Sequence, residues 1–182
     1  MLHIGDSGSD KYDLLWHSDT QYAAGVGWIY PLIERLCSGK KGLDIGGSGW
    51  TEGAKPVPGT TIVDPQRAGS GDAYNLSMYD DESYDFAIFS HVLEHLDDPE
   101  KAMVEVRRKL VPEGLAICYC PHPDHDEWNP KKNPACCTLH LWQPTATSMG
   151  RLLLMTGYEV LYSEVEQDRF GSFLTIGKKV TP

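Results

Sequence analysis

Lys41-Gly42-Leu43-Asp44-Ile45-Gly46-Gly47-Ser48-Gly49 reads as a short apolar strand running into a glycine-rich turn. A carboxylate near the end of such a strand, followed by residues small enough for backbone to approach a ligand closely, is the arrangement of a nucleotide-cofactor loop. Alone, the same pattern more often marks a tight turn. A second acid, Asp64, follows Asp44 by 20 positions and closes another apolar run, Thr60–Val63. That spacing suits a carboxylate that holds ribose hydroxyls after a second strand, although Asp64-Pro65 also spells a turn. A third group, Cys120, His122, His125, Cys136, Cys137 and His140, has enough thiols and imidazoles to furnish four zinc ligands. Its spacings match no regular knuckle, and buried thiols with surface histidines are the simpler reading.

The elements that must position these groups alternate along the chain. A polar stretch to about residue 18, anchored by Tyr12, Leu14, Leu15 and Trp16, reads as an arm or lid. Helical spacing of Tyr22, Val26, Ile29, Leu32, Ile33 and Leu36 follows, with Pro31 opening its second part and Gly39 ending it. After the strand at 41–45, the segment Trp50 to Gly59 holds two prolines and two glycines, which leaves little room for a helix. Further strands are expected at about 60–63, within Gly71–Leu76, at Tyr84–Ser90, at Leu115–Cys120, and at about 159–165 and 172–178. Asp98-Pro99-Glu100 caps a helix to about Leu110 with Ala102, Met103, Val106 and Leu110 on its buried face. A last helix runs from Pro144 to about Thr156, with Gly157 as its C-cap. Strands alternating with helices imply an α/β fold.

Composition narrows the function. The 182 residues suffice for one well-buried core, so a single domain is expected, with residues 1–38 as arm and helix and 39–182 as core. The chain is 41% hydrophobic and contains no apolar run near the roughly 20 residues of a membrane helix. Met1-Leu2-His3-Ile4 lacks a signal peptide's basic start and apolar core, so a cytoplasmic protein with reduced cysteines is expected. Sixteen Lys plus Arg against 26 Asp plus Glu give a net charge of -10, which repels a phosphate backbone. Lys131-Lys132 and Arg107-Arg108-Lys109 are short basic clusters, and both read as solvated surface.

Four pieces stand in one order: Leu43-Asp44-Ile45-Gly46-Gly47-Ser48-Gly49, Val63-Asp64, Gly71-Asp72-Ala73, and Phe89-Ser90-His91-Val92-Leu93-Glu94-His95-Leu96-Asp97-Asp98-Pro99. Together they resemble the class I S-adenosylmethionine-dependent methyltransferases, particularly a small group whose fourth strand leads into an HVLEHL segment. The resemblance spans about residues 40–178. It implies a Rossmann-like seven-stranded, mostly parallel sheet with helices on both faces and a C-terminal antiparallel hairpin. It also implies S-adenosyl-L-methionine as cofactor. The turn at Gly46, Gly47 and Ser48 would meet the methionine carboxylate through backbone N–H groups, with Asp44 near the ammonium group. Asp64 would take both ribose hydroxyls, Asp72 and the Ala73 N–H the adenine, and Ser90 and His91 would line the path to the reactive methyl. Two departures stand out. Ser48 and Trp50 occupy positions that are commonly glycine, and Pro56-Val57-Pro58-Gly59 replaces most of the following helix, weakening its dipole at the cofactor's carboxylate.

Methyl transfer from a sulfonium is an in-line displacement in which alignment supplies much of the acceleration. For a hydroxyl acceptor, His91 is the candidate proton acceptor; otherwise it packs against the cofactor. His91-Val92-Leu93-Glu94-His95 also has the H-x-x-E-H spacing of a zinc peptidase helix, but here it follows a buried strand. Some metal-assisted methyltransferases of this fold resemble it with a Glu-x-x-Glu-His segment, and here His91 stands at the first of those positions. No metal is expected, with Glu94 and His95 in structural hydrogen bonds at a helix start; His91, Glu94, His95 and His140 are the set that would hold an ion. Trp128, Trp142 and His122 would shape an acceptor pocket under a lid containing Trp16 and His17.

The expected function is methyl transfer to a small-molecule or saccharide acceptor, with neither nucleic acid nor membrane as partner. No Asn-Pro-Pro-Tyr-type segment follows the fourth strand, which argues against amine methylation of DNA bases. Two readings compete. A noncatalytic S-adenosylmethionine or nucleotide-binding module is favoured by Ser48, Trp50 and the missing helix. An NAD-dependent oxidoreductase would share the glycine turn and Asp64, but would not need Asp72 or the terminal hairpin.

Overall fold

A computed structural model describes residues 35–46, 59–65, 69–129, 131–134, 140–168 and 171–181. Among them, six strands form one mixed sheet: β1 (Gly42–Ile45), β2 (Thr60–Val63), β3 (Tyr84–Ser90), β4 (Leu110–Pro121), β5 (Tyr158–Ser163) and β6 (Ser172–Lys179). Their order is β2-β1-β3-β4-β6-β5. β1 pairs in parallel with β2 and β3, and β3 with β4, whereas β6 is antiparallel to both of its neighbours, β4 and β5. Only β6 therefore runs against the rest. The chain moves outward from β1 to β2 and then returns to β1's other side as β3, which makes a switch point at the strands' C-terminal ends, where open α/β sheets bind ligands.

The strand expected within Gly71–Leu76 is instead a turn, closed by an isolated bridge between Asp72 and Asn75. Gly71 adopts φ +74°, and the Asp72 carboxylate accepts the Tyr74 N–H at 2.7 Å. Such a local side-chain bond offers the backbone an alternative to a sheet ladder, so the described sheet has six strands rather than seven.

The period of two along each strand sorts side chains to opposite faces. Leu43, Ile45, Ala87, Phe89, Ala116 and Cys118 face one core, together with Ala102, Met103, Val106, Met149 and Leu153. These last five come from α1 (Pro99–Lys109) and α2 (Ala146–Met155), so both helices cover the same face. Phe86, Ile88, Ile117 and Tyr119 face the other core, where Leu36 and Cys37 of a helical turn at 35–37 pack. Full burial of such an aliphatic side chain contributes roughly 1.5–3 kcal/mol, which pins the sheet between two layers. Asp98 caps α1 by accepting the Lys101 N–H at 2.9 Å, with Pro99 in the first turn. Thr145 and Ser148 form a capping box at the start of α2, and Gly157 follows its end at φ +84°. The expected arm and most of its helix, including Trp16, His17 and Pro31, lie outside the described residues, as do Gly47, Ser48 and the Pro56–Pro58 segment. No helix among the described residues is long and apolar enough to cross a membrane.

Candidate active site

The ends of three adjacent strands meet at the switch point. Ile45 is in register with Val63 on β2 and Phe89 on β3, so Gly46, Asp64 and Ser90 end neighbouring strands side by side. Gly46 donates its N–H to the Val63 carbonyl at 2.7 Å and has φ +73°. A Cβ at Gly46 would stand 2.4 Å from Cγ2 of Val92, so the glycine turn and the HVLEHL segment are packed directly against each other. Asp44 and Asp64 are both buried. Burial alone pushes the Asp44 carboxyl up to about 7. Ser70 ties down the main chain of Asp64: its Oγ accepts the Asp64 N–H at 3.0 Å and donates to the Asp64 carbonyl.

The Asp72 turn is docked onto the segment leading into α1. Tyr74 donates its hydroxyl to Asp97 at 2.5 Å, and Leu76 N–H donates to Glu105 at 3.0 Å. Ala73 is buried in the core beside them. The sequence-predicted residues Asp44, Gly46, Asp64 and Ser90 thus share one sheet edge, with Asp72 and Ala73 held at a turn fastened to the element that follows it.

β3 ends in a break of backbone direction. His91 adopts φ +53°, and its N–H donates to the Tyr119 carbonyl at 2.9 Å, carrying the sheet bonding one residue past Ser90. Its ring lies 5.2 Å from that of Tyr119 and 5.4 Å from Trp128. His91 Nε2 is 2.8 Å from Ser172 Oγ. Burial, then the nearby His140 and His95, lower His91 to about 3, so it is uncharged at neutral pH. Ser172 was not legible as a site residue, because 81 positions separate it from His91. Its only signal is a polar residue just before the apolar pair Phe173-Leu174. Asp168 was missed for the same reason: it accepts the Tyr119 hydroxyl at 2.7 Å and the Ser172 N–H at 3.0 Å, holding both neighbours of His91 in place.

Leu93–His95 forms a single 3-10 turn rather than a helix, so the peptidase-like placement of two histidines on one helix face does not arise. The turn points Glu94 inward, fully buried, with a buried Cys120 close enough to feel its charge. The structural hydrogen bonds expected of this carboxylate are not present among the described residues, where neither Oε1 nor Oε2 has a hydrogen-bond partner. His91 Nδ1 and His95 Nε2 stand 3.5 and 3.8 Å from Oε1, and burial raises the carboxyl to about 8. His140 is brought alongside by its neighbours. Leu141 N–H donates to the Glu94 carbonyl at 2.8 Å, and Trp142 Nε1 donates to the Leu93 carbonyl at 2.7 Å. Trp142 therefore serves as a clamp on the turn rather than as open pocket wall. The rings of His95 and His140 are 4.9 Å apart.

The grouping of thiols and histidines after β4 dissolves in part. Cys120 is a buried free thiol of β4 itself, His122 bonds the Val165 carbonyl at 3.1 Å, and the His125 ring packs against Gly171. Cys136 and Cys137 lie outside the described residues.

A family model described as a methyltransferase domain matches residues 21–118, more than half of the chain. The chain belongs to this family, and it is a class I S-adenosylmethionine-dependent methyltransferase with S-adenosylmethionine as its cofactor. No curated protein matches the sequence. Among solved structures, an S-adenosylmethionine-dependent methyltransferase from Methanosarcina mazei is similar at 20% identity and TM-score 0.61, over 85% of this chain and 99% of that one. A chain of the complex between the Haloferax volcanii Trm112 methyltransferase activator and a methyltransferase is similar at 14% identity and TM-score 0.59, over 79% and 83%. The 1,6-didemethyltoxoflavin-N1-methyltransferase of Burkholderia thailandensis, with bound 1,6-didemethyltoxoflavin and S-adenosylhomocysteine, is similar at 17% identity and TM-score 0.56, over 83% and 77%. At these identities the structural likenesses speak for the fold.

The cofactor fits what the residues offer. Gly46 is left-handed and closed over by Val92, leaving backbone rather than side chain at the end of β1. Two buried carboxylates, Asp44 and Asp64, stand at strand ends where an ammonium group and a diol are complementary partners.

Proposed function

We propose that the enzyme methylates a small-molecule or saccharide acceptor held against the end of β3. The observation that carries this reading is the His91 cluster: an imidazole whose side chain is only 19% exposed, walled by Tyr119 and Trp128. Apolar aromatic faces with a few placed polar groups suit a compact acceptor, and the net charge of -10 disfavours a nucleic-acid strand.

In this reading the backbone at Gly46, Gly47 and Ser48 binds the cofactor's carboxylate and Asp44 its ammonium group. Asp64 holds the ribose hydroxyls, and Asp72 with the Ala73 N–H holds the adenine. Bound S-adenosylmethionine supplies a methyl group made electrophilic by its sulfonium. Ser90 and His91 orient the acceptor. With its imidazole lowered to about 3, His91 acts here chiefly as an uncharged aromatic wall, fixed at Nε2 by Ser172, against which the acceptor packs.

The test is transfer of labelled methyl from S-adenosylmethionine to two sets of acceptors. One contains hydroxylated small molecules and mono- and oligosaccharides; the other contains DNA, RNA and protein. Label in the first set is expected, and label confined to the second sinks the acceptor assignment.

A further inference from the structure

Glu94 presents a problem that the methyl-transfer reading leaves unsolved. A fully buried carboxylate with no hydrogen-bond partner among the described residues on either oxygen is costly: an unpaired buried charge costs several kcal/mol, and even the neutral acid leaves a donor and an acceptor unmet. Around it, the structure gathers imidazoles. One donor atom each from Glu94, His95 and His140 lies within 4.8 Å of the others. His91 Nδ1 is 3.5 Å from the same Glu94 oxygen. Three imidazoles thus converge on one carboxylate, yet none stands within ordinary hydrogen-bond distance of Oε1: His91 Nδ1 is 3.5 Å and His95 Nε2 3.8 Å away.

We propose that Glu94, His95 and His140 bind a divalent transition-metal ion of the zinc class. Two imidazoles and one carboxylate match the borderline-soft ligand set of such ions, and three protein ligands leave a position open, as in catalytic rather than structural sites. Cationic charge at this point supplies the buried Glu94 oxygens with the partner they lack. The ligands are held from both sides of the site. Glu94 and His95 sit on the 3-10 turn after β3, and the Leu141 and Trp142 hydrogen bonds to that turn fix the position of His140. His91 is braced at Nε2 by Ser172, so its Nδ1 remains turned toward the cluster from the methyl-transfer side. The metal assignment does not depend on which acceptor is methylated, because binding can be read without turnover.

The experiment titrates Co2+ and Zn2+ into the chelator-stripped full-length protein, following calorimetric heat and the visible Co2+ spectrum. One ion per chain is expected, with a Co2+ spectrum that lacks a thiolate charge-transfer band. Glu94→Gln and His140→Ala should each weaken binding by more than the roughly 10- to 100-fold that loss of an outer-shell partner costs. His122→Ala should leave it unchanged. Glu94→Gln preserves side-chain shape, and circular dichroism of both apo variants checks that the loss is not one of folding. Absence of binding at millimolar ion, a thiolate band, or unaltered affinity in folded Glu94→Gln and His140→Ala overturns the proposal.

Discussion

His91 Nε2 and Ser172 Oγ stand 2.8 Å apart, joining the end of β3 to the start of β6 across 81 positions of sequence. Ser172 is itself fully buried, and its N–H is held by Asp168. The contact fixes the ring of the residue that faces the reacting groups in the proposed reaction. Ser172→Ala should lower kcat for methyl transfer by roughly three- to tenfold, the value of one buried hydrogen bond, while affinity for S-adenosylhomocysteine stays within twofold (~0.4 kcal/mol). An equal change in both quantities would show that Ser172 acts on the cofactor or on stability rather than on His91.

Gly46 illustrates why the glycine turn must begin with glycine. Its φ of +73° disfavours any side chain, and Val92 occupies the space a Cβ would take. Gly46→Ala should destabilise the protein by about 1–3 kcal/mol in urea unfolding. Adding Val92→Ala should recover part of that loss by removing the steric component. Equal destabilisation by the single and double changes would leave backbone strain as the whole cause.

The Asp44 carboxyl is raised from 3.8 to about 7 by burial, so the folded state holds a proton that the unfolded chain releases. The number of bound protons is then greater in the native state, and apo stability should fall as pH rises from about 4 to about 7, levelling off above. The fall amounts to at most about 4 kcal/mol. Asp44→Asn should flatten this slope. If the cofactor's ammonium group sits at Asp44, binding at pH 6 should release up to one proton in the wild type and none in the variant. Calorimetry in two buffers of different ionisation heat measures this directly, and identical proton release in both proteins removes Asp44 from the cofactor site.

Asp64 is buried at the end of β2, with its main chain held by Ser70. Asp64→Ala should reduce S-adenosylmethionine affinity roughly tenfold to a hundredfold, the loss of charge-assisted bonds to a diol. A folded variant with wild-type affinity would assign the ribose to another residue. Titration with NAD alongside separates the two nucleotide readings, since only the sulfur cofactors are expected to bind.

Local rules made much of the framework readable from residues alone. The strand at 42–45, the buried run 84–90, the Asp98-capped helix and the last helix ending before Gly157 depend on hydrophobic period and caps that lie within a few residues of one another, although the Thr145-Ser148 capping box rather than Pro144 starts that last helix. The order of Asp44, Gly46, Asp64 and Ser90 was likewise visible, because parallel strands place successive C-terminal ends at one edge. Tertiary structure decided the rest. It replaced the expected third strand with an Asx-type turn, a choice set by one side-chain bond from Asp72 to Tyr74. It also brought Ser172 to His91 and His140 to Glu94, pairs distant in sequence that no periodicity relates. Sequence could show that a histidine and a glutamate follow β3, but only packing could bury Glu94 and leave its carboxylate without a hydrogen-bond partner among the described residues.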